Sequence, residues 1–246
     1  MINLNTGFYK DLDTNFEQAY SMALQEFSHD DLIQMLKFGN IPEKQIAALK
    51  LDTLLSEEEV QVFLSNLTGC DGKIREAIAL KINKLITEQT SLIPMLSVQP
   101  ERYAMASVDI NGNICRLIID SVLIFKSNKD FSRVYISTIL KFIDEAFCEL
   151  DKFIFRDKKY VINKQLFKLY WCLEALKIFV EDIEPAKLYN ILYRASQEKE
   201  YTIREKVAQI LQKTNSSEFD DLKLNLKDDE NYYVRQVFLN HPSIFN

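Results

Sequence analysis

The stretch DDENYYVRQVFLNHP, residues 228–242, contains a pattern that occurs elsewhere in the chain. An acidic turn is followed by a tyrosine pair, then by a β-branched residue and an arginine (Val234, Arg235), then by an apolar run. Acidic residues favour the start of a helix, where the dipole is positive, whereas an arginine there is poorly placed. We therefore expect Val234 to pack in the core and Arg235 to have a specific polar partner.

Two further copies match this pattern closely and two match it weakly. The close copies are CDGKIREAIALKI (70–82), which contains Arg75, and EKEYTIREKVAQIL (198–211), which contains Arg204. The weak copies are INGNICRLIIDSV (110–122) with Arg116 and DKKYVINKQLFKL (157–169) with Lys164, and Lys44 is an earlier candidate. Successive basic residues are 31 to 48 positions apart. This spacing is typical of repeats built from two helices.

These copies resemble the HEAT-repeat family, whose second helix commonly begins with an acidic turn, then Val or Ile, then Arg. The last copy also resembles the related leucine-rich-repeat variant, although His241 separates Asn240 from Pro242 and Phe238 stands where a small residue is usual. The resemblance covers about five or six units, roughly residues 28–246. It implies an architecture and no particular activity.

A helix pair of this kind has an apolar face that it cannot cover alone, so neighbouring pairs must stack. We expect each arginine to form a charge-assisted hydrogen bond with an acidic turn or a carbonyl of the adjacent repeat. The residues predicted to join repeats in this way are Arg75, Arg116, Arg204, Val234 and Arg235.

Composition also favours an all-α fold. Glycine and proline number only five each, and both hairpins and glycine-rich phosphate loops require glycine. Helix signals recur from end to end, such as a cap at Ser28, Pro42 in a first turn, and a capping box at Ser56 and Glu59. The least helical region is 96–113. We predict one domain, 1–246, forming a right-handed α-solenoid of about five or six HEAT-like helix pairs, with capping segments at 1–27 and 231–246.

Charge and composition exclude several functional classes. The net charge of −6 argues against a general nucleic-acid binder. No C-x-x-C pair occurs among the four cysteines, and neither a signal peptide nor a membrane span is predicted. The chain is therefore expected to be cytoplasmic, with no membrane partner.

No catalytic constellation is evident in the sequence. The two histidines, His29 and His241, fall at a helix start and in a helix-ending turn, and no nucleotide-binding or hydrolase motif is present. Trp171 and Glu174 lie one helical turn apart, as in HEAT-like DNA glycosylases that use aromatic and acidic residues, but Trp171 is predicted to be core. We expect no catalytic residue, no metal and no cofactor.

The segment FIFRDKKYVINK, residues 153–164, is the candidate surface for a partner. Aromatic side chains alternate there with basic ones, a mixture that can hold phosphates and stack bases. A solvated loop beside a helix edge, an acidic protein surface and a nucleic acid all fit it. The candidate binding residues are Arg156, Lys158, Lys159, Tyr160 and Lys164.

The sequence thus predicts a non-catalytic scaffold that binds another protein through the concave groove of its second helices. The alternative is a HEAT-like enzyme or enzyme accessory, resembling a nucleic-acid glycosylase or a lyase subunit. A deep pocket with converging polar groups would favour the enzyme, and a long shallow groove would favour the scaffold.

Overall fold

The computed structural model describes residues 6–153 and 159–239, and these residues form helices without any strand. The all-α prediction is therefore confirmed. No helix in the described ranges is both long and apolar enough to cross a bilayer.

Fourteen α-helices occur in the described residues. In chain order they are α1 Thr6–Ala23, α2 His29–Phe38, α3 Ile41–Lys50, α4 Glu57–Ser65, α5 Gly72–Glu88, α6 Ile93–Leu96, α7 Pro100–Ala106, α8 Gly112–Phe125, α9 Lys129–Phe153, α10 Lys159–Leu176, α11 Pro185–Ser196, α12 Tyr201–Leu211, α13 Asp220–Lys227 and α14 Tyr232–Leu239. The region 96–113, the least helical part of the sequence, contains α7.

Helix starts follow the local chemistry of the sequence. Ser28 caps α2 by accepting the backbone N–H of Asp31, which confirms that prediction. The capping box expected at Ser56 is half formed: its side chain accepts the Glu59 N–H at 3.3 Å. The Glu59 carboxylate instead accepts the backbone N–H of Leu55 at 2.7 Å and contacts His29 Nε2 at 3.0 Å. The acid thereby links α4 to the start of α2.

The described residues fall into two compact units, divided between Phe131 and Ser132 within α9. In the first unit, α3, α5 and α8 pack in succession to form one layer, and α1 packs against α3. Helices α2, α4 and α6 pack in succession to form the other layer, while α7 packs on α8. Consecutive helix pairs are therefore stacked, as the repeat pattern predicts.

The second unit is built in the same way. Helices α10, α12 and α14 pack in succession, and α11 packs against both α12 and α13. We call α3, α5 and α8, or α10, α12 and α14, the second-helix layer of each unit. We call α2, α4, α6 and α7, or α11 and α13, the first-helix layer.

The apolar residue three positions after the N-cap is buried in four second helices. The N-caps of α5, α8 and α12 are Asp71, Asn111 and Glu200, and Asn231 is placed in the same way before α14. The buried residues are Ile74, Ile114, Ile203 and Val234, with exposed fractions of 3% or less. All four are β-branched, which stiffens the side chain in the seam between neighbouring helices.

Candidate interaction surface

An arginine follows Ile74, Ile203 and Val234, and each has the polar partner that its position in the helix requires. In the first unit, Arg75 Nε and Nη2 donate to the two oxygens of Asp109, at 2.7 and 3.1 Å. Arg75 Nη1 donates to the carbonyl of Cys70. Since Asp109 precedes α8 and Arg75 lies in α5, this bidentate pair joins neighbouring second helices.

The same arrangement occurs in the second unit. Arg204 Nε and Nη2 donate to Asp229 at 2.7 and 3.0 Å, and Nη1 donates to the carbonyls of Glu198 and Lys199 at 2.8 and 2.9 Å. Burial acts to raise the pKa of Asp229, but the hydrogen bonds from Arg204 and the Asn231 N–H outweigh it, so the pKa lies below its ordinary value. The carboxylate is thus held in its charged form.

Each aspartate also organises the start of the next helix. Asp109 accepts the N–H of Asn111 at 2.9 Å, and Asp229 accepts the N–H of Asn231 at 2.7 Å. The asparagine side chains then accept N–H groups two residues later, which satisfies free amides of α8 and α14. One Asp-x-Asn turn therefore binds the preceding arginine and caps its own helix.

Arg116 does not occupy the position that its copy of the pattern suggests. It is exposed and has no hydrogen bond or ion pair with a described residue. Cys115 lies four residues after the N-cap instead, is buried, and donates through Sγ to the Asp109 carbonyl at 3.0 Å. Lys44 occupies the same position in α3 and donates to the Asn66 side chain at 3.0 Å.

In the last copy of the pattern, Val234 and Arg235 have different structural roles. Val234 is fully buried. Arg235 Nη1 donates to the carbonyls of Asp229 and Glu230. Arg235 thus closes the turn that precedes its own helix.

The predicted basic segment lies partly outside the described residues, since Arg156 and Lys158 are not among them. Lys159, Tyr160 and Lys164 belong to α10 and are exposed, Tyr160 with 80% of its surface in solvent. Its role as a binding surface stays a prediction.

A different set of exposed large apolar residues lies on the packed helices α1, α3, α5 and α8 of the first unit, and we call it the apolar strip. Leu49 and Leu80 each lie nine residues after their N-caps, on the packed helices α3 and α5, and are 42% and 45% exposed. The strip, which also includes residues on α1 and α8, consists of Phe16, Tyr20, Ile41, Leu49, Leu80, Leu123 and Ile124. Helix α3 packs against α1, α2 and α5, and its residues Ile41 and Leu49 remain exposed to solvent.

The first-helix layer of that unit has no comparable strip among its described residues. Its helices expose two large apolar side chains, Phe38 on α2 and Met105 on α7, and the loops beside them expose Leu55 and Ile110. Helix α4, which packs against α2, exposes none. Isolated exposed apolar residues are common on any protein surface, whereas contiguous ones mark contact sites.

A cavity of about 340 Å³ lies at one end of the strip, between α1, α3 and the start of α5. Its apolar lining includes Phe16, Tyr20, Ile41 and Ile46. Phe16 and Tyr20 are stacked with ring centroids 6.5 Å apart. Lys73 is the charged residue in the lining.

The second unit has a polar network in its second-helix layer. Glu174 on α10 accepts from Lys177 at 2.5 Å and from Lys206 on α12 at 2.6 Å, and both ammonium groups also reach the Gln209 oxygen. Burial acts to raise the pKa of Glu174, but these two hydrogen bonds prevail and lower it. Lys206 also lies over the Tyr170 ring at 4.7 Å.

Glu174 of this network is also one of the two residues, with Trp171, on which the glycosylase-like alternative depends. Trp171 is buried as predicted, at 8% exposure, and its indole Nε1 has no hydrogen-bond partner among the described residues. Glu174 is held as a charged acceptor between two lysines, and such a group is poorly suited to donate a proton. In the described ranges no group of His, Cys, Asp and Glu side chains is arranged to hold a metal ion.

The sequence reasoning missed the apolar strip and the cavity. Leu49 and Leu80 were part of helical patterns that also contain core residues, and periodicity alone does not separate the two sets. One signal was available, because both leucines stand at the same distance from a helix cap. Phe16 and Tyr20 are four residues apart, as residues on one helix face are.

Comparison with protein families found no matching family, and no curated protein matches. Among solved structures, an engineered protein crystallised by the Northeast Structural Genomics Consortium is similar, with 12% sequence identity and a TM-score of 0.46. The similarity covers 86% of this chain and 96% of that chain. Nothing about function follows from it.

Proposed function

We propose that this protein is a non-catalytic scaffold that binds another protein through the solvent face of its second-helix layer. In this proposal the stacked pairs form a HEAT-like, right-handed α-solenoid whose second helices line the concave groove. The repeated Asp-x-Asn turns and bidentate arginines support it, because they join α5 to α8 and α12 to α14 in the same way. No membrane, nucleic acid or cofactor is required.

The observation that carries the proposal is the apolar strip of the first unit. It lies on α1, α3, α5 and α8, which are packed in that order, whereas the described helices of the first-helix layer expose two large apolar residues, Phe38 and Met105. Covering such side chains on binding removes apolar surface from water, at about 25 cal/mol per Å². The strip therefore offers apolar surface from which a partner can gain affinity.

Charged groups on the same face provide selectivity. Lys73 and Arg116 have no ion pair with a described residue, and Asp120 is exposed on α8, one helical turn after Arg116. Charges at the rim of an interface set orientation and association rate more than affinity. The exposed Lys159, Tyr160 and Lys164 of the second unit offer a second place for an acidic partner surface.

Site-specific photocrosslinking compares the two layers directly. A photoreactive amino acid replaces Leu80 on the second-helix layer or, as the matched control, Met105 on α7, since both side chains are 45% exposed. The full-length protein is irradiated in its native cells. We expect a discrete crosslinked protein for the Leu80 position and background for the Met105 position, read by mass shift on a gel.

The pattern of crosslinks decides the proposal. Equal crosslinking at both positions, or a discrete product only at Met105, overturns the assignment of the binding face. A Leu49→Arg change in the Leu80-labelled protein provides a second check, because it alters the strip at an exposed residue. Loss of the crosslinked product at unchanged melting temperature supports the strip as the contact.

A further inference from the structure

The cavity between α1 and α3 has a defined chemistry at the edge of the apolar strip. Two stacked aromatic rings, Phe16 and Tyr20, form one wall, and Ile41, Pro42 and Ile46 of α3 form the other. Phe16 and Tyr20 are 69% and 62% exposed, so the cavity is open to an incoming group.

We propose that this cavity binds an acidic peptide segment of the partner protein, whose aromatic or large aliphatic side chain enters between α1 and α3 while its carboxylate pairs with Lys73. The inference rests on the proposed scaffold function and names the chemical class of the partner.

The size and the lining of the cavity determine the apolar part of the ligand. At about 340 Å³ the cavity is at the lower end of the range for small-molecule sites, which run from about 300 to 1,000 Å³. Because the cavity is open, it accommodates one or two side chains of a peptide better than an enclosed cofactor. The stacked aromatic wall favours a ring or a large aliphatic group.

The charge of the lining determines the acidic part. Among the described residues that line the cavity, Lys73 is the charged one and none is a carboxylate. Its backbone N–H is bound by Asp71, but the ammonium group forms no hydrogen bond or ion pair with a described residue. A carboxylate placed beside the apolar anchor would form an ion pair with the Lys73 ammonium group and would restrict the orientation of the peptide.

The nearest acidic groups along α5 are already in use. The Asp71 carboxylate caps the helix by accepting the Lys73 N–H at 2.8 Å. The Glu76 oxygens accept from the side-chain amides of Asn111 and Asn113, at 3.4 Å each. A carboxylate from a partner therefore reaches Lys73 without displacing an ion pair inside this protein.

Selection from a random peptide library, with the intact chain as bait, tests the proposal. We expect the enriched peptides to share an aromatic or large aliphatic residue with Asp or Glu within a few positions. Tyr20→Ala and Phe16→Ala should each weaken binding of the enriched peptide about tenfold or more, as truncation of a central anchor does. Fluorescence polarisation with a labelled peptide measures this change.

Charge reversal makes the test specific. Lys73→Glu should remove the preference for acidic residues and enrich basic ones, with the apolar anchor retained. Two controls should leave the selected sequences unchanged: Lys84→Glu on the same helix and Phe38→Ala, an exposed aromatic on α2. Each altered residue is exposed, so circular dichroism should show unchanged folding.

Contrary results separate this inference from the proposed function. Peptides whose binding is abolished by Leu80→Arg but unaffected by Phe16→Ala and Tyr20→Ala would overturn the cavity and leave the scaffold proposal standing. Acidic residues absent from the enriched set, or a Lys73→Glu protein that selects the same peptides, would overturn the charge assignment. A homodimer that dissociates on Tyr20→Ala, measured by sedimentation, would make the cavity an interface between copies and overturn the peptide assignment. Failure of both this selection and Leu80 crosslinking would overturn both proposals.

Discussion

The two units use one helix-start arrangement but present different solvent faces. The Arg75–Asp109 and Arg204–Asp229 pairs have the same Nε–Oδ2 distance of 2.7 Å and the same bidentate geometry. The Arg204 pair is more enclosed, with side chains 8% and 7% exposed, against 14% and 9% for the Arg75 pair. Arg204 also reaches two carbonyls and Glu230, whereas Arg75 reaches one carbonyl.

The faces of the second-helix layers share no such similarity. The first unit presents leucines and a cavity, while the second presents a Lys–Glu–Gln network and a stacked pair, Tyr201 and Tyr233, with centroids 5.9 Å apart. The helix starts are alike because the first backbone N–H groups of every helix need hydrogen-bond acceptors outside the helix. The outward positions carry no such requirement and differ between the units.

The largest expected effect concerns the buried β-branched residue of each unit. Ile74→Asp should destabilise the protein by about 4 kcal/mol or more, because it buries an unpaired charge. Val234→Asp should cost less, since α5 is packed between α3 and α8 whereas α14 packs in its layer against α12. Urea denaturation followed by circular dichroism measures both.

Lys227→Ala, at an exposed position on α13, is the control for these two changes. Melting temperatures that fall equally for Val234→Asp and Lys227→Ala would contradict the stacking of α14 on α12. A larger loss for Val234→Asp than for Ile74→Asp would reverse the ranking of the two units.

The second prediction compares the arginines. Arg204→Ala should lower the free energy of unfolding by about 3 kcal/mol, because it leaves Asp229 buried without its partner. Arg75→Ala should cost less, about 2 kcal/mol, since its pair is more exposed and has fewer additional acceptors. Equal losses would show that the enclosure of the pair does not govern its contribution.

A double-mutant cycle isolates the pair itself. Arg204→Ala combined with Asp229→Ala should destabilise the protein by less than the sum of the two single changes, because the second change removes the unpaired charge. Strict additivity would mean that the two side chains do not interact in solution.

The smallest predicted effect is a pH dependence of the second unit. The pKa of Asp229 is depressed in the folded protein, so its contribution is present above the ordinary value of 3.8 and is lost as pH falls through the folded value. The stability difference between wild type and Asp229→Asn should therefore narrow below pH 3.8, by about 1 kcal/mol. Denaturation at a series of pH values measures it.

Asp228→Asn serves as the control, because Asp228 is an exposed neighbour and its change removes the same charge. A difference between wild type and Asp229→Asn that stays constant down to acid denaturation would contradict the charged hydrogen bond with Arg204.

Much of the fold was open to prediction because its causes are local. Scarce glycine and proline, caps such as Ser28, and helical spacing of apolar residues indicate helices whatever their neighbours are. The Val-Arg and Ile-Arg steps at Val234, Ile74 and Ile203 also marked residues that the structure buries. Arg116 shows the limit of this reasoning. It lies one residue beyond the position that Arg75 and Arg204 occupy after their N-caps, so it is exposed and Cys115 takes that position.

The interaction surface was not predictable in the same way. Arg156 and Lys158 are predicted binding residues because aromatic and basic residues alternate around them, and both lie outside the described residues. The apolar strip depends on which helices are neighbours. In the sequence Leu80 looks like the core residues of α5, and only the packing of α5 against α3 and α8 shows that it stays exposed.

The sequence by itself determined the helices, their caps and the residues that join one pair to the next, because these follow from hydrogen bonds and side-chain periodicity within a few turns. Only the tertiary structure decided which acid each arginine binds, which apolar residues stay in water, and where a cavity opens beside Lys73. Those outcomes depend on helices from distant parts of the chain meeting in space, and packing selects them after the local structure is set.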